Sequence, residues 1–171
     1  MKIKKKVRKV KTTSLMLSPW TLHVNQSYNR IWDIAKSYNT NIQPRKGFVF
    51  LEPQERMQKT ALWCIHLDVN PLWENNLNSQ ETVIVEKRKK TETPLEFQKR
   101  LNKGNAYNAD VVRIVFAKSS HSGKYRFVGL FKLSLIDFDQ QTVTFRRVEH
   151  NKVQIRISQT IQTEIIIEEE I

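Results

Sequence analysis

The sequence predicts an α+β protein with a curved or closed antiparallel β-sheet and two or three helices. The first observation is a series of strand-like runs between Asp110 and Ser158, rich in β-branched and aromatic residues and separated by polar turns. Runs of about 5–8 such residues between turns indicate an antiparallel sheet. The second observation is a helix signature from Thr93 to Gly104, with start and stop signals at its two ends.

Strands are predicted along much of the chain by apolar runs of this kind. Leu15 to Val24, broken by Pro19, predicts an edge strand or an irregular segment. The segment from Asp68 to Gln80 is polar and rich in asparagine, and we expect it to form a loop. The remaining predicted strands cover residues 47–51, 82–86, 110–118, 124–133, 142–148 and 152–158.

The best local signature predicts a helix that begins after Thr93. Thr93 is a suitable N-cap, Pro94 fits the first helical position, and Glu96 stands where the acid of a capping box belongs. Gly104 is able to end the helix in the left-handed conformation, so we expect the helix to run to about Lys103.

Two further helices are predicted by helical spacing of apolar residues. One covers residues 27–38, with Ser27 as a candidate N-cap and Trp32 in the core. The other begins at Pro53 and places Met57, Ala61 and Leu62 on one face. Residues 63–67, which include a second core tryptophan, Trp63, either end that helix or form a strand.

Length and composition limit the class of protein. A chain of 171 residues with 39% hydrophobic residues is long enough for one domain with a real core. No run of 18 or more apolar residues predicts a membrane span, and no apolar signal-peptide region follows the N-terminus. A single cysteine, Cys64, excludes an internal disulfide framework. We therefore expect a cytoplasmic setting.

Charge is the most distinctive feature of the composition. The 29 Lys and Arg residues against 17 Asp and Glu residues give a net charge of +12, which favours an anionic partner such as nucleic acid. Residues 1–12 are strongly basic and are interpreted as an N-terminal arm beside a single domain at 13–171. The arm is either disordered or pairs as a strand, and in the second case the acidic C-terminus is able to neutralise it.

The sequence predicts no catalytic residue, no metal site and no cofactor. Four glycines are present, and none is spaced as a phosphate-binding loop or a dinucleotide fingerprint. The four histidines are scattered without metal-ligand spacing. One alternative remains open, a small metal-dependent nuclease built from Asp110, Lys118, Glu86 and Lys87. It lacks the usual acid-x-lysine pair, because Arg88 takes the place of the lysine.

Basic residues on neighbouring elements predict a phosphate-binding face. Some follow the strand at 82–86, some lie on the capped helix, and some lie on two strands of the sheet. The candidate phosphate contacts are Lys87, Arg88, Lys89, Lys90, Lys99, Arg100, Lys103, Arg126, Arg146 and Arg147.

A different kind of contact is predicted for the asparagine-rich segment. Trp73 stands there among amides, and an exposed indole is able to stack on a base while neighbouring amides hydrogen-bond its edge. Trp73, Asn75 and Asn76 are therefore the candidate base-reading residues.

Residues 124–133, followed by a spacer and by residues 143–147, resemble the Tyr-Asp-Gly segment of SRA (SET- and RING-associated, or YDG) domains. There an aromatic-rich strand precedes a variable turn and an arginine-bearing strand. The resemblance covers about residues 110–148. It implies a PUA-like β-barrel that recognises modified bases in DNA, in several members by base flipping, and in bacteria beside nucleases that restrict modified DNA. Phe127, Val128 and Gly129 replace Tyr-Asp-Gly, so only the strand layout and Gly129, as a glycine of close approach, carry over. Gly129 is therefore a fourth candidate base-reading residue.

The sequence thus predicts a nucleic-acid-binding module, with DNA favoured over RNA, that recognises modified or flipped bases in a bacterial or phage defence context. A nuclease or another protein is an expected partner, and a membrane is not. Besides the metal-dependent nuclease, the other alternative is a protein-interaction module or inhibitor, whose basic arm docks an acidic partner.

Overall fold

An eight-stranded mixed β-sheet with one helix packed on each face forms the framework of the protein in a computed structural model. The structure describes residues 15–17, 27–37, 47–52, 54, 57–67, 72–119, 121–148, 152–157 and 163–168. The predicted N-terminal arm at 1–12 lies outside the described residues. The helices of the described part are α1 (Ile31–Ser37) and α2 (Pro94–Asn102).

The strands of the large sheet are β2 (Ser27–Tyr28), β3 (Phe48–Phe50), β4 (Thr60–His66), β5 (Asn75–Leu77), β6 (Val83–Lys87), β7 (Val112–Lys118), β8 (Tyr125–Asp137) and β9 (Thr142–Arg147). They are hydrogen-bonded in the order β3-β4-β7-β8-β9-β6-β5, while β2 pairs with β8 beside this path. The path is open at both ends, so the sheet is not a closed barrel. The predicted α+β class is confirmed.

A second sheet of three strands contains the remaining elements: β1 (Leu15–Leu17), β10 (Lys152–Ile157) and β11 (Thr163–Glu168). In this sheet β10 lies between β1 and β11, and both pairings are antiparallel. The strand predicted at 152–158 therefore exists, but it does not continue the large sheet. The acidic C-terminal strand, β11, pairs with β10. Within the described residues its partner is therefore β10 and not the basic arm.

Both faces of the large sheet are buried, because α1 packs on one face and α2 on the other. Along each strand the side chains alternate between the two faces. On one face Leu62, Ile114 and Phe116 pack with Ile34 and Ala35 of α1. The other face buries Trp63, Val115 and Phe145 against Phe97 and Leu101 of α2. The consequence is that β4 and β7, two neighbouring inner strands, are buried along nearly their whole length.

The pairing of β4 with β7 is parallel, which corrects the expectation of a purely antiparallel sheet. A parallel pair requires a crossover between its strands. Here the crossover contains β5, β6 and α2, and it carries the chain around the face on which α2 packs. This crossover supplies most of the polar residues considered below.

The helix predicted to carry Met57, Ala61 and Leu62 on one face is wrong over residues 57–62, because Ala61 and Leu62 lie in β4, while Pro53 lies outside the described residues. A strand that is buried on both faces is a continuous apolar run, and periodicity alone does not separate such a run from a buried helix. The alternative of a strand at 63–67 is the correct one. The loop predicted at 68–80 contains β5, a strand of three residues.

The first helix is shorter than predicted. It spans Ile31–Ser37, and Ser27 belongs to β2, so Ser27 is not the N-cap. Trp32 is 40% exposed rather than a core residue, whereas Trp63, at 6%, is in the core as expected. The predicted capping box of α2 is confirmed: Thr93 Oγ1 accepts from the Glu96 N–H at 3.2 Å, and the Thr93 N–H donates to Glu96 Oε2 at 2.9 Å.

Candidate functional site

A pocket of about 400 Å³ lies where α2 and the crossover strands face the centre of the large sheet. Its walls come from α1, β3, β4, β5, β6, β7, β8, α2 and the segment that follows α2. The lining residues are Ile31, Gly47, Phe48, Trp63, Cys64, Ile65, His66, Trp73, Asn75, Glu86, Lys89, Arg100, Ala106, Tyr107, Arg113 and Tyr125. Aromatic rings and charged groups thus share one concave surface, as ligand-binding pockets commonly do.

Arg113 is a buried cation in this pocket, and only 2% of its surface is exposed. Its guanidinium carbon lies over the rings of Phe145 at 4.2 Å, Trp63 at 4.5 Å, Phe48 at 4.7 Å and Tyr107 at 5.2 Å. Burial lowers the pKa of Arg113 to about 10, while the charge of Glu86 opposes that shift. The side chain therefore remains a cation at neutral pH, held by π-electrons in place of water.

Glu86 is the buried anion of the pocket, also 2% exposed. Its Oε1 accepts from the Tyr107 hydroxyl at 2.6 Å and from Arg100 Nη1 at 3.3 Å. Arg100 Nη1 also donates to the Tyr107 oxygen. Burial raises the pKa of Tyr107, with the charge of Glu86 adding to the effect, so the phenol stays protonated and donates. Pairing and hydrogen bonds of this kind offset part of the desolvation penalty of a buried carboxylate.

Glu92 fixes Arg100 from the other side. Arg100 Nη2 donates to Glu92 Oε1 at 2.8 Å, and Arg100 Nε lies 3.1 Å from Glu92 Oε2. Burial alone would raise the pKa of Glu92, but the hydrogen bonds from Arg100 and from the Lys89 N–H lower it. Burial alone would likewise lower the pKa of Arg100. The pKa is raised instead, by the hydrogen bond to Glu92 and by the charges of Glu86 and Glu92. Planar, two-pronged contacts of this kind orient a guanidinium as well as bind it.

Asn75 pairs with Glu86 across β5 and β6, so the two side chains stand next to each other on the inner side of the sheet. Asn75 is 5% exposed, and its Oδ1 has no hydrogen-bond partner among the described residues. Buried polar atoms are nearly always hydrogen-bonded, so an orphan acceptor in a pocket wall calls for an explanation. Asn76, the next residue, is exposed and does not line the pocket.

Trp73 lines the pocket beside two cations. Lys89 Nζ lies 4.5 Å and the Arg100 guanidinium carbon 4.8 Å from the centre of the indole. The backbone brings these residues together. The main-chain N–H of Lys87 donates to the Glu74 carbonyl at 3.0 Å and that of Lys90 to the Leu72 carbonyl at 3.2 Å, which extends the pairing of β5 with β6.

The opposite wall carries His66 and Tyr125, with His66 Nε2 2.8 Å from the Tyr125 hydroxyl oxygen. Burial raises the pKa of Tyr125 to about 12, with the Cys64 side chain adding to the effect. Burial also raises the pKa of the Cys64 thiol to about 12. Tyr125 and Cys64 are therefore uncharged at neutral pH, so the charge of the described pocket walls is concentrated at Glu86, Lys89, Arg100 and Arg113.

The predicted phosphate contacts lie in different environments. Lys89 and Arg100 line the pocket, whereas Lys99, Lys103 and Arg146 are exposed. Several others have partners within the protein. Lys87 Nζ lies 2.7 Å from Glu74 Oε1, Arg88 Nε donates to Gln141 Oε1 at 2.6 Å, and Arg126 pairs with Glu81. The last two predicted contacts are Lys90 and Arg147. Lys90 is exposed and follows β6, and the Arg147 side chain lies beside Gly129.

Gly129 lies outside the pocket, at a β-bulge in β8. Val115 pairs with Gly129 and Phe116 with Phe127, so Val128 is the extra residue of the bulged strand. Gly129 has a φ of +135°, and a Cβ there would stand 2.8 Å from Arg147 Nε. The close approach at this glycine is therefore an approach of the Arg147 side chain within the protein, and it is the positive φ that favours glycine here.

Asp110 and Glu86, the acids of the nuclease alternative, occupy different environments. Asp110 is exposed and does not line the pocket, whereas Glu86 is buried and held by Tyr107 and Arg100. No group of three or more His, Cys, Asp or Glu side chains in the described residues is arranged to hold a metal ion. Among those residues there is also no helix of the length and apolarity needed to cross a membrane.

Two pocket residues escaped the sequence-based prediction, Arg113 and Tyr107. A signal for Arg113 did exist: it is a charged residue inside the apolar run from Val111 to Phe116, where a cation needs a buried partner. Tyr107 follows the end of α2, and nothing in its local sequence indicates that it turns back to Glu86.

Together these features define a module of the mixed α+β class, in which an open sheet and a capped helix enclose an aromatic, charged pocket. The profile of the SET and RING associated (SRA) domain matches residues 23–155, and the chain belongs to this family. The resemblance stated for residues 110–148 is thereby confirmed over a longer stretch. Family membership supports DNA as the partner.

Among solved structures, the chain is similar to the 5-hydroxymethylcytosine-specific restriction enzyme AbaSI. The two share 21% sequence identity with a TM-score of 0.55, over 81% of this chain and 40% of AbaSI. This chain thus corresponds to less than half of that enzyme, and a likeness at this identity establishes the shared fold. No curated protein matches the sequence significantly.

Proposed function

We propose that this protein recognises a modified base in duplex DNA by taking the flipped base into the pocket between α2 and the large sheet. The observation that supports the proposal is a pocket of about 400 Å³ whose walls combine aromatic rings with the buried polar residues Asn75 and Glu86. A flipped base is held in this way, by stacking on its faces and hydrogen bonds at its edge.

In this proposal Trp73 stacks on the base and Asn75 contacts its edge. Two cations already lie over the indole, and of these Arg100 is fixed by Glu92 and Glu86. Lys89 makes no ion pair among the described residues, so the base displaces Lys89 from the face of the indole. The displaced ammonium then lies at the pocket mouth, where the phosphates that flank a flipped nucleotide need a positive charge.

The exposed cations around the pocket bind the phosphate backbone in the same proposal. Lys90, Lys99, Lys103 and Arg146 are exposed. Such contacts position the protein on the duplex without reading its sequence. Lys87, Arg88, Arg126 and Arg147 lie against groups of the protein itself and contribute mainly through the overall positive field.

A restriction context is part of the proposal. AbaSI is a restriction enzyme specific for 5-hydroxymethylcytosine, and this chain corresponds to 40% of that protein. We infer that this chain supplies recognition of modified DNA, in a bacterial or phage defence setting, to a nuclease partner that cuts the DNA.

The test is a binding titration by fluorescence anisotropy with matched duplexes that carry cytosine, 5-methylcytosine or 5-hydroxymethylcytosine at one position. We expect tighter binding to a modified duplex than to the unmodified one. Trp73→Ala should weaken that binding by roughly 5- to 150-fold, since stacking on one base contributes about 1–3 kcal/mol. An adjacent 2-aminopurine should brighten on binding if the base leaves the stack.

Trp32→Ala is the matched control, because Trp32 is also a partly exposed tryptophan but lies on α1 and outside the pocket. Equal affinity for all three duplexes, with no effect of Trp73→Ala, would refute the proposed function. An RNA duplex of the same sequence, bound as tightly as DNA, would refute the preference for DNA.

A further inference from the structure

We propose that His66, Lys118 and Tyr125 form a phosphate clamp that binds the DNA backbone more tightly when His66 carries a proton. The inference rests on the proposed function, because His66 and Tyr125 line the same pocket. It adds a proton-dependent contact with a phosphate group and leaves base recognition to the other wall. None of these three residues is among the phosphate contacts predicted from the sequence.

The three residues stand side by side on adjacent strands. His66 ends β4 and is the register partner of Lys118, which ends β7. Lys118 pairs in turn with Tyr125, the first residue of β8. Residues paired directly across neighbouring strands lie on the same face of a sheet. The Leu67 N–H donates to the Lys118 carbonyl at 2.9 Å, so the backbone pairing of the two chain segments continues past His66.

Tyr125 contacts both of the other residues. Its hydroxyl oxygen lies 2.8 Å from His66 Nε2, and the two rings meet edge to face with their centres 5.6 Å apart. Lys118 Nζ lies 5.4 Å from the centre of the Tyr125 ring. Tyr125 is buried, Lys118 is half-buried and His66 is exposed. The phosphate clamp therefore has a fixed inner end and an outer end that a ligand can reach.

The hydrogen bond between Tyr125 and His66 reverses when His66 gains a proton. Burial raises the pKa of Tyr125 to about 12, with the Cys64 side chain adding to the effect, so the phenol keeps its hydrogen at neutral pH. A neutral imidazole that accepts at Nε2 binds that hydrogen, whereas an imidazolium donates from Nε2. After protonation Nε2–H donates to the Tyr125 oxygen, and the phenol hydrogen turns to an anion beside the new positive charge.

The charged and titratable groups on the surrounding elements favour an anion at this place. On the same side of the pocket they are Tyr28, Cys64, Lys118, Lys124 and Tyr125. Asp33 pairs with Arg30 beside α1, and the sequence from 111 to 136 contains no acidic residue.

Across the pocket the one acid among the lining residues is Glu86, which is held by Tyr107 and Arg100, and Lys89 and Arg113 are cations. The described surroundings of His66 are therefore net positive. A phosphodiester of the backbone, with two charged oxygens, accepts both from the phenol and from the ammonium of Lys118.

The test measures duplex affinity by fluorescence anisotropy at about pH 6 and about pH 8, on either side of the ordinary titration range of histidine. We expect wild type to bind roughly tenfold more tightly at the lower pH, the effect of one hydrogen bond to a charged group. The factor should be the same for cytosine and modified duplexes, because a phosphate contact does not read the base.

His66→Gln, which stays neutral at both pH values, should remove the pH dependence. His121→Gln is the matched control: His121 is an exposed histidine of the β7–β8 turn that does not line the pocket, and this variant should keep the wild-type factor. Tyr125→Phe retains the buried ring without the hydroxyl and should also reduce the factor. Lys118→Gln should weaken binding equally at both pH values and make the salt slope shallower by about 1.

Two results would overturn the inference. One is a wild-type affinity that is equal at both pH values, and the other is a pH response that persists in His66→Gln. If His66→Gln does not fold, Tyr125→Phe decides, and an unchanged pH response there overturns the phosphate clamp as well. In each case a preference for modified duplexes would leave the proposed function standing, whereas equal binding of all duplexes at both pH values would refute the proposed function itself.

Discussion

Arg100 shows how one side chain joins the helix to the pocket. Phe97 and Leu101 bury the inner face of α2. Arg100 follows Phe97 by three residues, so it shares that face of the helix and contacts Glu86 and Trp73. The sequence suggested a phosphate contact for Arg100, and the structure uses its charge to neutralise Glu86 and Glu92. In the proposed function we therefore expect Arg100 to contribute to DNA binding indirectly, by holding one wall of the pocket in place.

The pairing of Glu92 with Arg100 predicts a particular acid response. The pKa of Glu92 lies below its ordinary value of 4.5, so its stabilising contribution is complete above that value and is lost as the pH falls through the pKa of the folded state. We expect the thermal midpoint of wild type to decrease more steeply below about pH 4.5 than that of Glu92→Gln. Differential scanning fluorimetry across pH 2.5–7 (about 0.5 pH units per step) measures both slopes.

Asp110→Asn serves as the comparison for that measurement, because Asp110 is an exposed carboxylate outside the network. Its profile should run parallel to the wild-type profile. If Glu92→Gln also runs parallel to wild type, the ion pair does not contribute to acid sensitivity.

At the scale of elements, α2 and β8 position the pocket in different ways. The capping box at Thr93 and Glu96 sets where α2 begins, and this in turn sets which residues of the helix face the sheet. The bulge at Val128 and the positive φ of Gly129 change the side to which the residues of β8 point midway along the strand. Both features have short sequence signatures, yet none of these residues lines the pocket.

Loss of the N-cap should therefore destabilise α2, which forms one wall of the pocket, although Thr93 itself does not line the pocket. Thr93→Ala removes the hydroxyl that accepts from the Glu96 N–H, and we expect it to reduce the free energy of unfolding by about 1 kcal/mol. Urea denaturation checks this value. Thr93→Ser, which retains the hydroxyl, should stay close to wild type, whereas equal losses in both variants would show that the methyl group matters and the cap does not.

For the whole molecule, the large net charge and the pocket are expected to contribute different things. The charge of +12 gives affinity for any phosphate backbone, and the pocket gives selectivity. The exposed lysines of α2 and its C-cap, Lys99 and Lys103, stand close to Arg100 in sequence but not in the pocket. They offer a way to change affinity while leaving selectivity intact.

We expect the double change Lys99→Gln with Lys103→Gln to weaken binding to modified and unmodified duplexes by the same factor. The slope of log affinity against log salt should become shallower by about 1–2, since each phosphate contact contributes roughly 0.9. Titrations at four salt concentrations (on the order of 50–200 mM) give the slope.

Arg30→Gln is the control for that series, since it also removes a surface cation. Arg30 is exposed and lies 3.5 Å from Asp33 beside α1, on the other face of the sheet from α2. The salt slope should not change in this variant. A loss of selectivity in the lysine double variant would contradict the division between backbone affinity and pocket selectivity.

Much of the fold could be predicted from the sequence because its signals are local. The β-branched runs predicted β7, β8 and β9, and the box at Thr93 predicted α2. The prediction failed where a local pattern has two tertiary explanations: the apolar residues around Leu62 suit a buried strand as well as a helix. It failed also at Trp32, whose large apolar side chain suggested a core position that it does not occupy.

The candidate site was predicted in part. Trp73 and Asn75 were suggested by residue type in a polar segment, and both line the pocket, while Asn76 and Gly129 do not. Strand alternation explains the difference between the two asparagines, since adjacent residues of β5 point to opposite sides. That alternation could not be applied before β5 was recognised as a strand.

The sequence by itself determined the elements with strong local signals, the net charge and, through the resemblance in residues 110–148, the family. Only the tertiary structure decided that β4 and β7 run parallel, and that Arg113, Glu86, Tyr107 and Asn75 meet in one pocket. These residues come from distant parts of the chain, and their meeting depends on a crossover and on which face of each strand is buried. Such long-range pairing is set by the packing of the whole sheet, which no local run of residues encodes.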